Sequence, residues 1–317
     1  MDGTMKKKAG QKFGAILLTA LIAGSLSACS TGTLKMASAD QNGEYYQVAN
    51  EFAGDLKQDA ELDVEVLETT GSYGNLRLLS GGYVQMAVVQ SDVAAHSYAV
   101  ASDSEKGYSA VGGIYTEVCH IIVRADSDIR SVADLADKKV SIGSQESGTE
   151  SSAKEILLAY GITETDAKLE NLSYSSASAA LVHGDIDALF CTGNVGMTVL
   201  KTLSEQTDIR LIPVTADDLD RMNQTMDVYH ISMIPAGTYR GQTEDVPAIS
   251  VVAMLVVSDS LDKNTVKEIT QSLVNRRTDF VQTTYLKEDE AEAFVISNIP
   301  LPLHPGAVEY YQEKGLH

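Results

Sequence analysis

Two kinds of apolar run alternate along the chain. Val64-Glu65-Val66-Leu67 alternates like a half-buried strand, and Met86-Ala87-Val88-Val89 is continuously apolar like a fully buried one. Between them, Thr69-Thr70-Gly71-Ser72 turns into a segment with Leu76 and Leu79 at helical spacing, ended by Gly81-Gly82. A first strand is expected near Leu34 to Ala37. Lys139-Val140-Ser141-Ile142 reads as another, followed by a helix with Ala153, Ile156, Leu157 and Tyr160 on one face that ends at Gly161. Uninterrupted apolar strands alternating with helices predict the α/β class, a parallel sheet covered on both faces.

One unit recurs 102 residues later. Setting Gly82 on Gly184 places Leu79 on Leu181, Val84 on Ile186 and Val88 on Phe190, and sets Gln90-Ser91-Asp92 on Thr192-Gly193-Asn194. Both copies read helix, glycine, buried strand, polar loop, which suggests two similar lobes. Two apolar runs, Cys119 to Arg124 and Ile249 to Val257, each end in an acidic turn and are expected to cross between the lobes. After the second, Asn264 to Phe280 has helical spacing through Val266, Ile269, Leu273 and Val274. The expected division is residues 34–121 with 254–317 as lobe I and 122–253 as lobe II, joined by two hinge crossings.

The first thirty residues follow a different logic. Lys6, Lys7, Lys8 and Lys12 precede an apolar run from Phe13 to Ala23, and small residues then lead to Cys29. That is the order of a secretory signal, and Leu26-Ser27-Ala28-Cys29 resembles a bacterial lipobox. Residues 1–28 are expected to be a lipoprotein signal peptide, Cys29 the lipidated N-terminus, and 29–43 a tether running into the first strand. An extracytoplasmic, lipid-anchored location follows.

Charge narrows the function. The 317 residues hold 24 Lys+Arg against 44 Asp+Glu, a net −20, and loss of residues 1–28 leaves 20 basic and 43 acidic residues, a net −23. A phosphate backbone would be repelled, so nucleic acid is excluded as a partner. Beyond the N-terminus no apolar run approaches the roughly 18 residues of a membrane span.

Catalytic and cofactor signatures are missing. The chain has no phosphate-binding P-loop, dinucleotide fingerprint, zincin motif or nucleophile elbow, and its six histidines lack metal-ligand spacing. No cofactor, metal or enzyme activity is expected. Cys119 and Cys191 sit in strand-like apolar surroundings typical of free, inert thiols. The best binding feature is Gly143-Ser144-Gln145-Glu146-Ser147-Gly148-Thr149, which follows a strand and opens a helix. Ser147 and Glu150 can form a capping box, and the free amides of the helix start suit a carboxylate. Helix starts at Gly71-Ser72 and after Asn194 offer the same chemistry.

Jointly, several segments resemble the TAXI-type solute-binding proteins of TRAP transporters. They are Gly74-Asn75-Leu76-Arg77-Leu78-Leu79, Gln90-Ser91-Asp92-Val93, His120 to Ser127, Ser147-Gly148-Thr149, Ile234 to Gln242, Asp245-Val246-Pro247, and Pro302-Leu303-His304-Pro305-Gly306-Ala307 with Tyr310-Tyr311. The resemblance implies a monomeric type II periplasmic-binding fold. It also implies capture of a small organic solute, glutamate-like in several members, and its delivery to TRAP membrane subunits for uptake driven by an ion gradient. Where the family has a glycine-rich loop before Tyr-Tyr-Pro, this chain has Ala37 to Gln47 with Asp40; where it has Gly-Pro-Pro-Gly-Ser-Gly-Thr, this chain introduces Glu146.

Strand ends, helix starts and the resemblance together give the candidate lining: Tyr45, Tyr46, Ser72, Gln90, Ser91, Asp92, Ser147, Gly148, Thr149, Thr192 and Asn194. Glu117 and His120 join them by matching family positions at the first crossing. Ser72, Ser147, Thr149 and nearby amides would take a carboxylate, Asp92, Asp40 or Glu146 an ammonium, and Tyr45 or Tyr46 the apolar part. The expected ligand is an amino-acid-like solute bearing an ammonium or amide. Two alternatives stay open: a component that presents its ligand to a sensor, and a cleft enzyme using Cys191 or His120.

Overall fold

The computed structural model describes residues 32–103, 105–223, 227–276 and 294–316. The signal-like segment and Cys29 lie outside the described residues, as does the end of the helix read as Asn264 to Phe280.

In chain order the elements are β1 (Leu34–Ala37), α1 (Glu44–Ala60), β2 (Val64–Leu67), α2 (Ser72–Ser80), β3 (Met86–Gln90), α3 (Ser91–Val100) and β4 (Tyr108–Arg124). There follow β5 (Lys139–Ser141), α4 (Gly148–Ala159), β6 (Lys168–Glu170), α5 (Tyr174–His183), β7 (Ala188–Gly193) and α6 (Thr198–Gln206). The last are β8 (Ile209–Leu211), α7 (Ala216–Met222), β9 (His230–Ile234), β10 (Val246–Ser258), α8 (Lys263–Asn275) and α9 (Pro305–Lys314).

All the strands join one sheet whose main path runs β2-β1-β3-β10-β4-β7-β5-β6. It is parallel toward both ends, where β1 pairs with β2 and β3, and β5 with β6 and β7. Across the middle it is antiparallel, because β4 and β10 run in opposite directions between the two halves. The parallel pairing expected from the apolar runs is kept at both ends, and the antiparallel middle makes the sheet as a whole mixed. Each long strand serves both halves. β10 pairs with β3 through Ala253–Val257 and with β9 through Val246–Ser250. β4 pairs with β10 through Tyr108–Val118 and with β7 through Val118–Val123. The first crossing therefore begins at Tyr108 and not at Cys119; Ser109, Gly112, Gly113, Thr116 and Glu117 break its apolar run and hide it from a hydrophobicity pattern.

Side chains alternate across the sheet, so each half has a core on both faces. Met36, Met86, Val88 and Leu255 pack with α1, α8 and α9, while Ala37, Ala87, Val89 and Val256 pack with α2 and α3. In the second half Ile121, Val123, Val140 and Phe190 pack with α4, and Ile122, Leu189 and Cys191 with α5 and α6. Each fully buried Val, Leu, Ile, Phe or Met among them contributes roughly 1.5–3 kcal/mol relative to leaving it exposed.

The internal repeat has a structural counterpart in α2–β3 and α5–β7. Leu79 and Leu181, Val84 and Ile186, and Val88 and Phe190 are all buried, and Gly82 and Gly184 both have positive φ, 71° and 79°. Buried Asn75 fixes the first copy: its Nδ2 donates to the carbonyls of Ser38 and Val88, at 2.7 and 2.8 Å, tying α2 to the ends of β1 and β3. Helix α1, which the strand-and-turn pattern did not single out, forms because Tyr45, Val48, Ala49, Phe52 and Leu56 recur at helical spacing and are all buried.

Candidate functional site

Residues at or just beyond the C-terminal ends of β1, β2, β3, β5 and β7 converge on one cavity. Three helix starts reach it: Gly43-Glu44 of α1, Gly71-Ser72 of α2, and Ser147-Gly148-Thr149 of α4. First-turn N–H groups have no partner within their own helix, so each start presents donors and the positive end of a dipole. The third start expected from the sequence, after Asn194, is not among them; α6 begins only at Thr198, and α1 takes its place.

Close approach explains Gly148. A Cβ there would lie 1.7 Å from Gln90 Oε1, and one at Gly71, where φ is 115°, would lie 3.2 Å from Ser147 Cα. The starts of α2 and α4 therefore meet almost backbone to backbone. Ser147 Oγ accepts from the Glu150 N–H at 3.1 Å, but the reciprocal half of the expected capping box is not made. Glu150 Oε2 accepts instead from the Glu146 N–H at 2.7 Å, because left-handed Glu146, φ 62°, turns its own amide toward that carboxylate.

The polar wall is built of paired hydroxyls. The Tyr174 hydroxyl donates to the Thr192 carbonyl at 2.9 Å and accepts from its N–H at 3.2 Å, so the 2.6 Å bond from Thr149 Oγ1 is donated by the threonine. On the opposite side the Tyr45 hydroxyl donates to Glu117 Oε2 at 2.7 Å and lies 3.5 Å from Ser72 Oγ, which accepts from the Gln90 N–H. Thr192 Oγ1, beside the Cys119 thiol, is buried and has no nitrogen or oxygen partner among the described residues.

Asp40, Glu44 and Glu117 line the cavity, and among the described residues no Lys, Arg or His does. Burial is the main reason that the Glu117 carboxyl is pushed up to about 8; neighbouring Asp92 and Glu44 add to the shift while the Tyr45 bond opposes it. Burial likewise raises Glu44, with Glu51 adding to it, and lifts Asp92 to about 6.

Of the residues expected from sequence, Tyr45, Ser72, Gln90, Glu117, Ser147, Gly148, Thr149, Thr192 and Asp40 line the cavity. The others lie elsewhere, for identifiable reasons. Ser91 Oγ accepts from the Val252 N–H at 3.0 Å and so secures α3 to β10. Asp92 is buried behind the wall, accepting from Gln90 Nε2, Ser152 Oγ and the Tyr229 hydroxyl. Asn194 Nδ2 donates to Glu44 Oε1 at 2.9 Å. Tyr46 is half-buried off the cavity, on the next face of α1 from Tyr45. Glu146 faces out of the cavity, its carboxylate 2.6 Å from Arg77 and its carbonyl accepting from the Tyr73 N–H at 3.1 Å.

Neither enzyme candidate reaches the cavity. His120 is enclosed between the Val118 carbonyl and the Tyr239 hydroxyl, each 2.9 Å away, and burial pulls it down to about 4. Cys191 lies 3.6 Å from Met197 Sδ, and burial holds its thiol well above the usual range. Both Cys119 and Cys191 are free thiols. Among the described residues no cluster of His, Cys, Asp or Glu is suited to a metal ion, and no helix is long and apolar enough to cross a membrane.

The lining includes residues not anticipated: Ala39, Gly43, Glu44, Thr70 and Tyr174. The signals for two of them were present. Glu44 opens the amphipathic stretch Tyr45–Leu56, and Tyr174 follows Ser173, whose Oγ caps α5 by accepting from the Ser176 N–H.

Solved structures share this fold. PhnD1 from Prochlorococcus marinus in complex with methylphosphonate is 12% identical, with 90% of this chain and 99% of that one covered at a TM-score of 0.56. The alkanesulfonate-binding protein SsuA from Xanthomonas axonopodis pv. citri bound to MOPS is 16% identical, covering 89% and 90% at 0.51. An ancestral arginine-binding protein bound to arginine is 13% identical, covering 80% and 99% at 0.52. At these identities the likeness is one of architecture, that of the two-lobed periplasmic binding proteins. A family model described as NMT1-like matches residues 36–315, from β1 into the glycine that ends α9, and the chain belongs to the NMT1-like family.

Proposed function

We propose that the protein is an extracytoplasmic solute-binding protein whose lobes close over one small amino-acid-like solute. The observation that carries this is the polar pattern of the cavity: three helix starts supply donors for a carboxylate, while Asp40, Glu44 and Glu117, with no Lys, Arg or His lining it among the described residues, offer acidic partners to a positive group. An ammonium-bearing carboxylic acid answers both sides at once. A phosphonate or sulfonate without an amine answers only one. Neighbours of the same fold that hold methylphosphonate, MOPS and arginine support the use of this architecture for small polar solutes.

In this proposal residues 34–121 with 254–317 and residues 122–253 are the two lobes, and β4 and β10 are the hinge. Contacts across the cleft support a clamp. Arg77 with Glu146, Gln90 with Ser152, Asp92 with Tyr229 and Glu44 with Asn194 all join one side to the other. The sequence resemblance supports a finer assignment, a TAXI-type protein that hands its solute to TRAP membrane subunits, anchored by lipid on Cys29. Binding needs complementary groups and a hinge, and no chemistry.

Mass spectrometry of the solute released when the purified protein is denatured tests the capture role. An amine-bearing carboxylic acid is expected; recovery of a phosphonate, a sulfonate or a nitrogen-free dicarboxylate overturns the assignment.

A further inference from the structure

We propose that Glu117 is the group that recognises the solute's ammonium, and that the arriving ammonium displaces a proton from the Glu117 carboxyl, so that each capture event releases a proton. This deepens the capture role proposed above and rests on it.

Glu117 lies on the first crossing strand, 2% exposed, and forms part of the cavity wall. The titratable groups around it are Glu44 and Tyr45 on α1, Asp92 on α3, Tyr115 and Cys119 on β4, Tyr174 on α5 and Cys191 on β7. Every one is neutral or negative, and among the described residues no cation lines the cavity. A carboxyl buried beside other carboxyls with no counter-charge keeps its proton in the empty site. Burial holding Glu117 up to about 8 agrees with that geometry.

A ligand ammonium supplies the missing counter-charge. The carboxyl then ionises: its O–H proton passes to solvent, the ammonium keeps all of its own, and a carboxylate–ammonium pair replaces a neutral acid. A second, independent observation points to a ligand in the same place. Thr192 Oγ1, on the cavity wall and 5% exposed, lacks a nitrogen or oxygen partner that an entering polar group can provide. Asp92 is a weaker source of the proton, since Gln90, Ser152 and Tyr229 already satisfy it away from the cavity.

Calorimetric titration with L-glutamine, in two buffers of different ionisation enthalpy, counts the protons. At pH 7 wild type is expected to release close to one per ligand bound, with Kd falling about tenfold per pH unit between pH 6 and 7.5. That range stays below the pH at which the probe's own amine loses its proton. Glu117→Gln is expected to lose the release, together with the pH dependence. Glutamine binding with no proton exchanged in wild type overturns the proposal and leaves the capture role standing, as does a release that survives Glu117→Gln. If neither L-glutamine nor any other amino acid binds, both fall. The wild-type count decides the matter even where a variant folds poorly.

Discussion

Replacing Glu117 by glutamine should flatten the dependence of stability on pH in the solute-free protein. Glu117 keeps its proton in the folded state up to about 8, whereas the unfolded chain releases it near the ordinary glutamate value of 4.5. Between those values the folded state binds more protons than the unfolded one, so stability is fully present below 4.5 and is lost as pH rises toward 8. The whole interval amounts to about 5 kcal/mol at ~1.4 kcal/mol per unit. The cleanest window is pH 6.5 to 8. Below it Asp92, raised to about 6, adds a loss of the same sign, and His120, lowered to about 4, adds a gain of the opposite sign. Within the window Glu117 alone should lower wild-type stability by about 2 kcal/mol, a fall in Tm of about 4–8 °C. Glutamine mimics the protonated acid and can still accept from the Tyr45 hydroxyl, so Glu117→Gln should match wild type near pH 5 and exceed it at pH 8. Thermal unfolding followed by circular dichroism across this range measures the difference. Parallel curves for the two proteins would refute the idea of a buried, uncompensated carboxyl.

Other expectations follow from the cleft. Gly148→Ala places a methyl against Gln90 and should hold the lobes apart; solution scattering should show no compaction with ligand and affinity should drop at least tenfold, and unchanged closure would contradict the packing. Arg77→Ala removes an exposed cross-cleft ion pair worth roughly 0.2–1 kcal/mol, so affinity should fall no more than about fivefold with ligand preference intact; altered preference in calorimetry would place Arg77 in the site itself. Cys29→Ser should abolish lipid labelling and release the chain from membranes, and continued membrane retention would exclude the lipid anchor.

Much of this was legible in the sequence, and the gaps have physical causes. Apolar continuity located β3, β7 and the ends of both crossings, because strands buried on both faces leave no polar positions to blur the pattern. It missed the first part of β4, where glycines and buried polar residues stand in place of apolar ones. Helix starts could be read from their caps, so Ser72 and Ser147-Gly148-Thr149 were found on the cavity. Which way a side chain turns at such a start was not legible. Glu146 faces outward because its left-handed backbone directs its amide and carbonyl to partners on either side. Asp92, expected on the lining, sits behind the cavity wall, since its partners Ser152 and Tyr229 lie 60 and 137 residues away. Glu44 was missed because its role depends on α1 entering the cavity as a third helix start, a consequence of tertiary packing.

The central claim is that the cavity selects a small solute carrying both a carboxylate and an ammonium. Calorimetric titration of the solute-free protein with L-glutamine, L-glutamate, 2-oxoglutarate and methylphosphonate tests it most directly. One of the two amino acids should bind at least tenfold more tightly than either nitrogen-free anion, and tighter binding of 2-oxoglutarate or methylphosphonate would contradict it.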